Sequence, residues 1–536
     1  MGVEERQAAD GSLYTVWRRA GSGVAIMTTR HRQHCRTLAP TPISRRGFFT
    51  ASSAAAAAWA CGGNEQTGRP ETTRPNILFL FPDQMRGMAM GCMGDPDVKT
   101  PNLDRLASEG VLLRNTFANS PVCCPARATI LTGKYTHANG MVANDLRLRE
   151  SETTIAEILA QAGYRTGFIG KWHLDGGPRL PGFIPPGPRR QGFEFWAANE
   201  VSHRHFDSQY FRDTSQPIPI KTFEAEVWAD LGIEFLRGSR NDQRPFFLTI
   251  QMGPPHDPYI APENYTALYD PGAITLRPNH PALSGGNPSS TNLPGRKEIA
   301  TYYAMISAVD EQIGRVLESL DDLGLAQNTI VLVSSDHGDM LGSQGARLKR
   351  KPWEESIRVP GIVRFPGRAA PGRTTDALFS HVDFAPTLLS LCGVGVPAGM
   401  QGSDLSAVIL GDAETGPDSV YFQIFGPYEA GGVKAGWRGI RTNRYMYARY
   451  ESEPWVLYDL ERDPHELANL ATEPAAREFR TDLEARLGAW MSKTGDSWNY
   501  NWTAPVEDKG RLYKHETFYT VDEYLAWAKQ HPEAEP

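Results

Sequence analysis

Four stretches of the chain are almost continuously apolar and each is followed by polar residues. Asn76 to Phe81 lies between Pro75 and Pro82 and leads to Asp83-Gln84. Thr329 to Val333 leads to Ser334-Ser335-Asp336-His337-Gly338. Pro245 to Gln251 leads to Pro254-Pro255-His256, and the shorter run Thr166 to Ile169 leads to Gly170-Lys171-Trp172-His173. Apolar runs without alternation predict strands buried on both faces. Between them the period changes. SETTIAEILAQA (151–162) carries apolar residues at helical spacing, with Ser151 or Thr153 as its cap. Ile299 to Leu323 is a long amphipathic stretch, and Gly324 suits its end. Alternating strands and helices predict an α/β fold with a largely parallel sheet. In such sheets sites form beyond the carboxyl ends of the strands, so the four polar clusters are expected to meet at one site.

The pattern shifts again near residue 415. GIRTNRYMYARY (439–450) and WVLYDLERDP (455–464) predict hairpin strands, and Glu478 to Met491 predicts an amphipathic helix. A main body over 75–414 and a smaller C-terminal α+β lobe over 415–536, built on an antiparallel sheet, follow.

With 536 residues the chain can bury a large core and carry a second lobe. A net charge of −7 offers no basic surface, which excludes nucleic acid as a partner. Six cysteines are too few for a disulfide scaffold. Residues 1–61 are expected to be an extension and a targeting signal. SRRGFF (44–49) followed by TASSAAAAAWACGG (50–63) has the twin arginine, modest apolar run and small-residue end of a twin-arginine export signal. The apolar run is too short to span a bilayer. Cys61 is a candidate lipid anchor; plain cleavage near Ala60 is the equal alternative. Met27 is a second candidate start. Residues 62–74 form a polar tether. The expected location is the periplasm, or the cell envelope by lipid anchoring.

One short stretch carries the most chemistry: PVCCPARATILTG (121–133). Pro125 suits the first turn of a helix and Gly133 its end. Cys123 then sits at or just before the N-terminus, where free N–H groups and the helix dipole favour an anion. Arg127 lies one turn on, along the same side.

Cys123-x-Pro125-x-Arg127, followed by Ile130-Leu131 and Thr132-Gly133, resembles the signature of the sulfatase family. The resemblance runs from about Pro75 to Leu470, through PNILFLFPDQ (75–84), GKWH (170–173), PPH (254–256), SSDHGDMLG (334–342), KRKPWEESIRVP (349–360) and LYDLERDPHELANLA (457–471). It implies an alkaline-phosphatase-like fold and a hydrolase of sulfate esters, of a small molecule or a glycan. It implies that a maturase oxidises Cys123 to formylglycine before export, while Cys124 takes a variable position as a small buried residue. It implies one divalent cation at Asp83, Gln84, Asp336, His337 and the formylglycine of Cys123. Oxygen-rich ligands suit Ca²⁺ first, with Mg²⁺, Mn²⁺ and Zn²⁺ open. By the same resemblance Arg127 helps activate the hydrated aldehyde, Lys171 and Lys349 hold sulfate oxygens, His256 protonates the leaving alcohol and His173 takes a proton back. The alternative is a phosphonate monoester or phosphodiester hydrolase of the same superfamily, against which Lys171 and His173 speak. A non-catalytic glycan-binding relative would have lost Cys123 or the metal residues. Asn144 is a substrate-binding candidate or a turn residue. For His203, Arg204, His205 and Trp353, candidates for a specificity pocket, an ordinary structural role is preferred.

Overall fold

Residues 77, 79 and 81 of the first strand point to one face of a sheet and residues 78 and 80 to the other, and all five are buried. That explains why the run is apolar throughout. The computed structural model describes residues 74–498, apart from residue 145 and the loops 177–181, 285–292 and 427–432. It also gives the backbone of two short hairpins, Gly2–Gln7 with Leu13–Arg18 and Val506–Asp508 with Arg511–Tyr513. The expected export signal, Cys61 and nearly all of the tether lie outside the described residues.

The described residues 74–498 belong to one compact unit. Its main sheet has eight strands: β1 (Asn76–Pro82), β2 (Val111–Phe117), β3 (Arg165–Lys171), β4 (Phe195–Asn199), β5 (Phe246–Met252), β6 (Thr329–Val333), β7 (Ile362–Arg364) and β8 (Arg373–Ser380). Their spatial order is β8-β2-β7-β6-β1-β5-β3-β4. Only β7 runs antiparallel to its neighbours. The four strands foreseen from the apolar runs are the adjacent set β6-β1-β5-β3, so their carboxyl ends stand side by side.

Helices cover both faces. On one, α1 (Pro101–Glu109), α4 (Glu224–Ser239) and α5 (Arg296–Asp322) share a core with Leu78 and Leu80. On the other, α2 (Cys123–Thr132), α3 (Ile155–Gln161) and α6 (His381–Leu391) pack on Ile77, Phe79 and Phe81. The cap of α3 is Thr154, not Ser151 or Thr153. Its side chain accepts from the Glu157 N–H while Glu157 accepts from the Thr154 N–H, and no residue upstream can form that reciprocal pair.

The C-terminal lobe is a four-stranded antiparallel sheet, β9 (Val420–Ile424), β10 (Trp437–Arg441), β11 (Tyr445–Tyr450) and β12 (Pro454–Asp459), with α7 (Arg477–Thr494) on one face. Its other face packs through Phe422, Trp437, Met446 and Tyr458 against Phe117, Val122 and Ile357 of the main body. Polar ties reinforce this seam. Trp437 Nε1 donates to the Arg350 carbonyl at 2.9 Å, Arg441 pairs with Glu354 at 2.9 Å, and the Glu354 N–H donates to Glu466 Oε2 at 3.0 Å.

Candidate active site

The carboxyl ends of β1 and β6 place Asp83 and Asp336 side by side. The Gln84 N–H donates to Asp336 Oδ1 at 2.9 Å, which crosses from one strand end to the other. The N-terminus of α2 closes the third side. Its first residue, Cys123, is 1% exposed, and its Sγ lies 3.2 Å from His337 Nε2. Ligand atoms of Asp83, Cys123, Asp336 and His337 all lie within 4.8 Å of one another, and all four residues are buried. His337 is oriented from behind, with Nδ1 3.0 Å from the Gly338 carbonyl, which turns Nε2 inward.

Cations ring these donors. Arg127, four residues into α2, reaches Asp83 Oδ2 at 2.9 Å and Asp336 Oδ2 at 3.3 Å. Its other nitrogen donates to the Lys171 carbonyl at 2.8 Å and to Gln251 Oε1 at 3.0 Å. Lys171, the last residue of β3, donates to Asp83 Oδ2 at 2.7 Å. Lys349 arrives from a loop in which Leu348 and Arg350 have positive φ. Its Nζ bonds Gln84 Oε1 at 2.7 Å and His256 Nε2 at 2.8 Å. Lys351 braces that loop by donating to the Arg347 and Lys349 carbonyls.

The electrostatics follow from this ring. Burial alone raises the Asp83 pKa, but Lys171 above all, with His256 and Arg127, holds it well below the usual carboxylate range. Burial also raises the Cys123 thiol. Lys349, Lys171 and His337, with a hydrogen bond to His173, outweigh it and hold the thiol well below its ordinary value. Position 123 is therefore a place for an anion. Burial works against the Lys171 ammonium, yet Asp83 and Cys123 raise it, so it stays charged.

All the sequence-derived residues come together here: Asp83, Gln84, Cys123, Arg127, Lys171, His173, His256, Asp336, His337 and Lys349. Gln84 is held in the ring at both ends of its side-chain amide. Its carbonyl accepts from Lys349, and its amide donates to Asp339 at 2.7 Å and Asp257 at 3.1 Å. Asn144 stands in a turn, and its Oδ1 accepts from the Cys124 N–H at 3.1 Å, filling one free position of the helix N-terminus. Trp353 packs against Trp455 and donates to Tyr458, as an ordinary structural residue. Asp339, Asp257 and Gln251 were missed. Asp339 stands three residues past Asp336 and Asp257 directly after His256, so proximity to a marked residue was the available signal.

The sulfatase family model matches residues 75–394, which span the whole of this ring. The chain belongs to the sulfatase family. It is a sulfuric ester hydrolase of the alkaline phosphatase superfamily, a family that generally uses a divalent cation and a formylglycine. A second model, N-sulphoglucosamine sulphohydrolase, C-terminal, matches residues 342–493 of this sulfatase. The ulvan-active sulfatase of Formosa agariphila is 38% identical over 440 residues, covering 80% of this chain and 83% of the relative. The endo-4-O-sulfatase of Bacteroides thetaiotaomicron is 30% identical over 507 residues, covering 82% and 96%. A protein solved in complex with its substrate D-glucosamine-2-N,6-O-disulfate superposes with a TM-score of 0.70 at 27% identity, covering 79% and 98%. A phosphonate monoester hydrolase of Agrobacterium radiobacter is further away, with a TM-score of 0.65 at 25% identity over 78% and 96%.

Proposed function

We propose that this sulfatase removes sulfate from a sulfated carbohydrate, with Cys123 as the residue converted to formylglycine. The observation that carries the reading is the buried cluster of Asp83, Cys123, Asp336 and His337 beneath the cations of Arg127, Lys171 and Lys349. The carbohydrate is supported by the relatives named for ulvan and for an endo-4-O-sulfatase. Asp83, Asp336, His337, position 123 and the Gln84 carbonyl are the groups that would hold the cation. They fit one: Asp83 Oδ1 is buried with no hydrogen-bond partner, and the donors are mostly oxygen with one imidazole. That set suits Ca²⁺ first, with Mg²⁺ and Mn²⁺ as the alternatives. Bound there, the ion supplies positive charge to the sulfate oxygens, and formylglycine supplies a hydrated aldehyde as nucleophile.

The chain's own residues do the rest. Lys171 and Lys349, both buried, offer fixed cations to the sulfate oxygens. Arg127 holds both aspartates and so fixes the donors around position 123. His256 delivers a proton to the departing alcohol, and Lys349 is hydrogen-bonded to its Nε2 at 2.8 Å. His173, hydrogen-bonded to the Cys123 side chain, takes the proton that restores the resting state. We also place the enzyme in the periplasm or on the cell envelope, delivered by the twin-arginine route after a maturase has acted on Cys123. Mass spectrometry of the mature N-terminus, at Ala60 or at a lipidated Cys61, tests that placement.

Turnover of three aryl esters with one leaving group tests the chemistry: a sulfate, a phosphate diester and a phosphonate monoester. The enzyme is produced with a maturase, and Cys123→Ala is the blank. A clear sulfate preference is expected. Preference for either phosphorus ester would overturn the sulfate assignment and move the chain to the phosphonate hydrolase reading.

A further inference from the structure

The ring of His203 lies parallel to the ring of His256, with centroids 4.3 Å apart and 13° between planes. His256 is buried at the floor of the site, whereas His203 is exposed. The segment carrying it is not loose. Ser202 Oγ bonds Ser208 Oγ at 3.0 Å and accepts from the Arg204 N–H at 3.1 Å. His205 is engaged at both ring nitrogens, with Glu224 Oε1 at 2.8 Å and the His256 carbonyl at 2.7 Å. One buried histidine thus ties the His203 segment to the turn that carries His256. Burial of its inner side, followed by the charges of His256, Lys171 and Lys349, holds the His203 imidazole well below its usual range. It stands there neutral, with one nitrogen to donate and one to accept.

A group placed one ring above the acid must meet whatever leaves from that acid. We propose that His203 is a specificity-determining residue, hydrogen-bonding the hydroxyl next to the esterified oxygen of the leaving group. This inference rests on the reading of His256 as the acid. A vicinal hydroxyl is what a sugar ring presents beside its sulfate, and a simple phenol lacks it. A neutral donor–acceptor ring matches such a hydroxyl better than a charged side chain would.

The test compares 4-nitrocatechol sulfate, which has a hydroxyl beside the ester, with 4-nitrophenyl sulfate, which has none. His203→Phe keeps a ring for stacking and removes the hydrogen bond. The ratio of kcat/KM for the two esters is expected to fall about tenfold in His203→Phe, mainly through KM for the catechol. His203→Gln, which keeps a donor and an acceptor, is expected to retain most of the wild-type ratio. An unchanged ratio in His203→Phe, or equal losses on both esters, overturns the proposal and leaves His203 a packing residue. His256→Ala is read separately. It is expected to lose turnover of both esters, and if it does not, the acid assignment falls while the His203→Phe ratio still decides the contact.

Discussion

Gly170 precedes Lys171 at the end of β3 and has a φ of +102°, a conformation that costs an L residue about 1–3 kcal/mol. A Cβ built there would lie 1.9 Å from the Gln251 carbonyl oxygen, where real Cβ atoms essentially never come within 3.0 Å. The two strand ends must therefore part by more than 1 Å. Overpacking of this kind costs about 1–3 kcal/mol more, so Gly170→Ala is expected to lose about 2–6 kcal/mol. The displaced residues both hold Arg127: its guanidinium donates to the Lys171 carbonyl and to the Gln251 side chain. A shift near 1 Å in such a clamp costs about 10²-fold in rate. Urea unfolding reads the first quantity. The second is kcat/KM on 4-nitrophenyl sulfate, normalised to formylglycine content. Gly163→Ala is the control, because Gly163 has a φ of +89° and nothing within 4 Å of its Cβ. It should show the backbone cost alone and full activity. If Gly170→Ala matches that control in both assays, the close approach does not position the site.

Cys123→Ala is expected to abolish turnover, while Cys124→Ala largely spares it; equal activities would sink the assignment of the nucleophile. Burial and the neighbouring Asp175 push the Glu200 carboxyl up to about 8, so folding favours its protonated form. Its contribution to stability is then full below the ordinary carboxylate pKa and is lost as pH rises toward 8, and Glu200→Gln should flatten that loss in urea titrations at several pH values. Asp496 pairs with buried Arg438 and accepts from Tyr421 and Gln423. Asp496→Ala strands that guanidinium, and a loss of about 3–5 kcal/mol is expected in equilibrium unfolding. A loss below 1 kcal/mol would mean that solvent reaches Arg438.

The central strands were legible because burial on both faces leaves no polar position in the run. Cys123, Pro125 and Arg127 were legible because a helix start imposes its own residue order. Other parts rest on contacts between distant segments, which leave no local period. The Lys349 loop turns through left-handed conformations at Leu348 and Arg350, neither of which is a residue that announces a turn. The stack of His203 on His256 depends on His205 reaching Glu224 and the His256 carbonyl. The cap at Thr154 was expected one to three residues upstream because several Ser and Thr side chains compete there, and only Glu157 selects among them.

The ties between the Lys349 region and the C-terminal sheet bear on the order in which the protein is made. Trp437 fixes the Arg350 carbonyl, and Glu466 fixes the backbone of Glu354. A nascent chain that has released every residue of the ring still lacks these anchors, which emerge about a hundred residues later. Competence for turnover thus arrives with the tail of the polypeptide. A message cut short after the main sheet would yield a protein that holds all its reactive groups and remains inert.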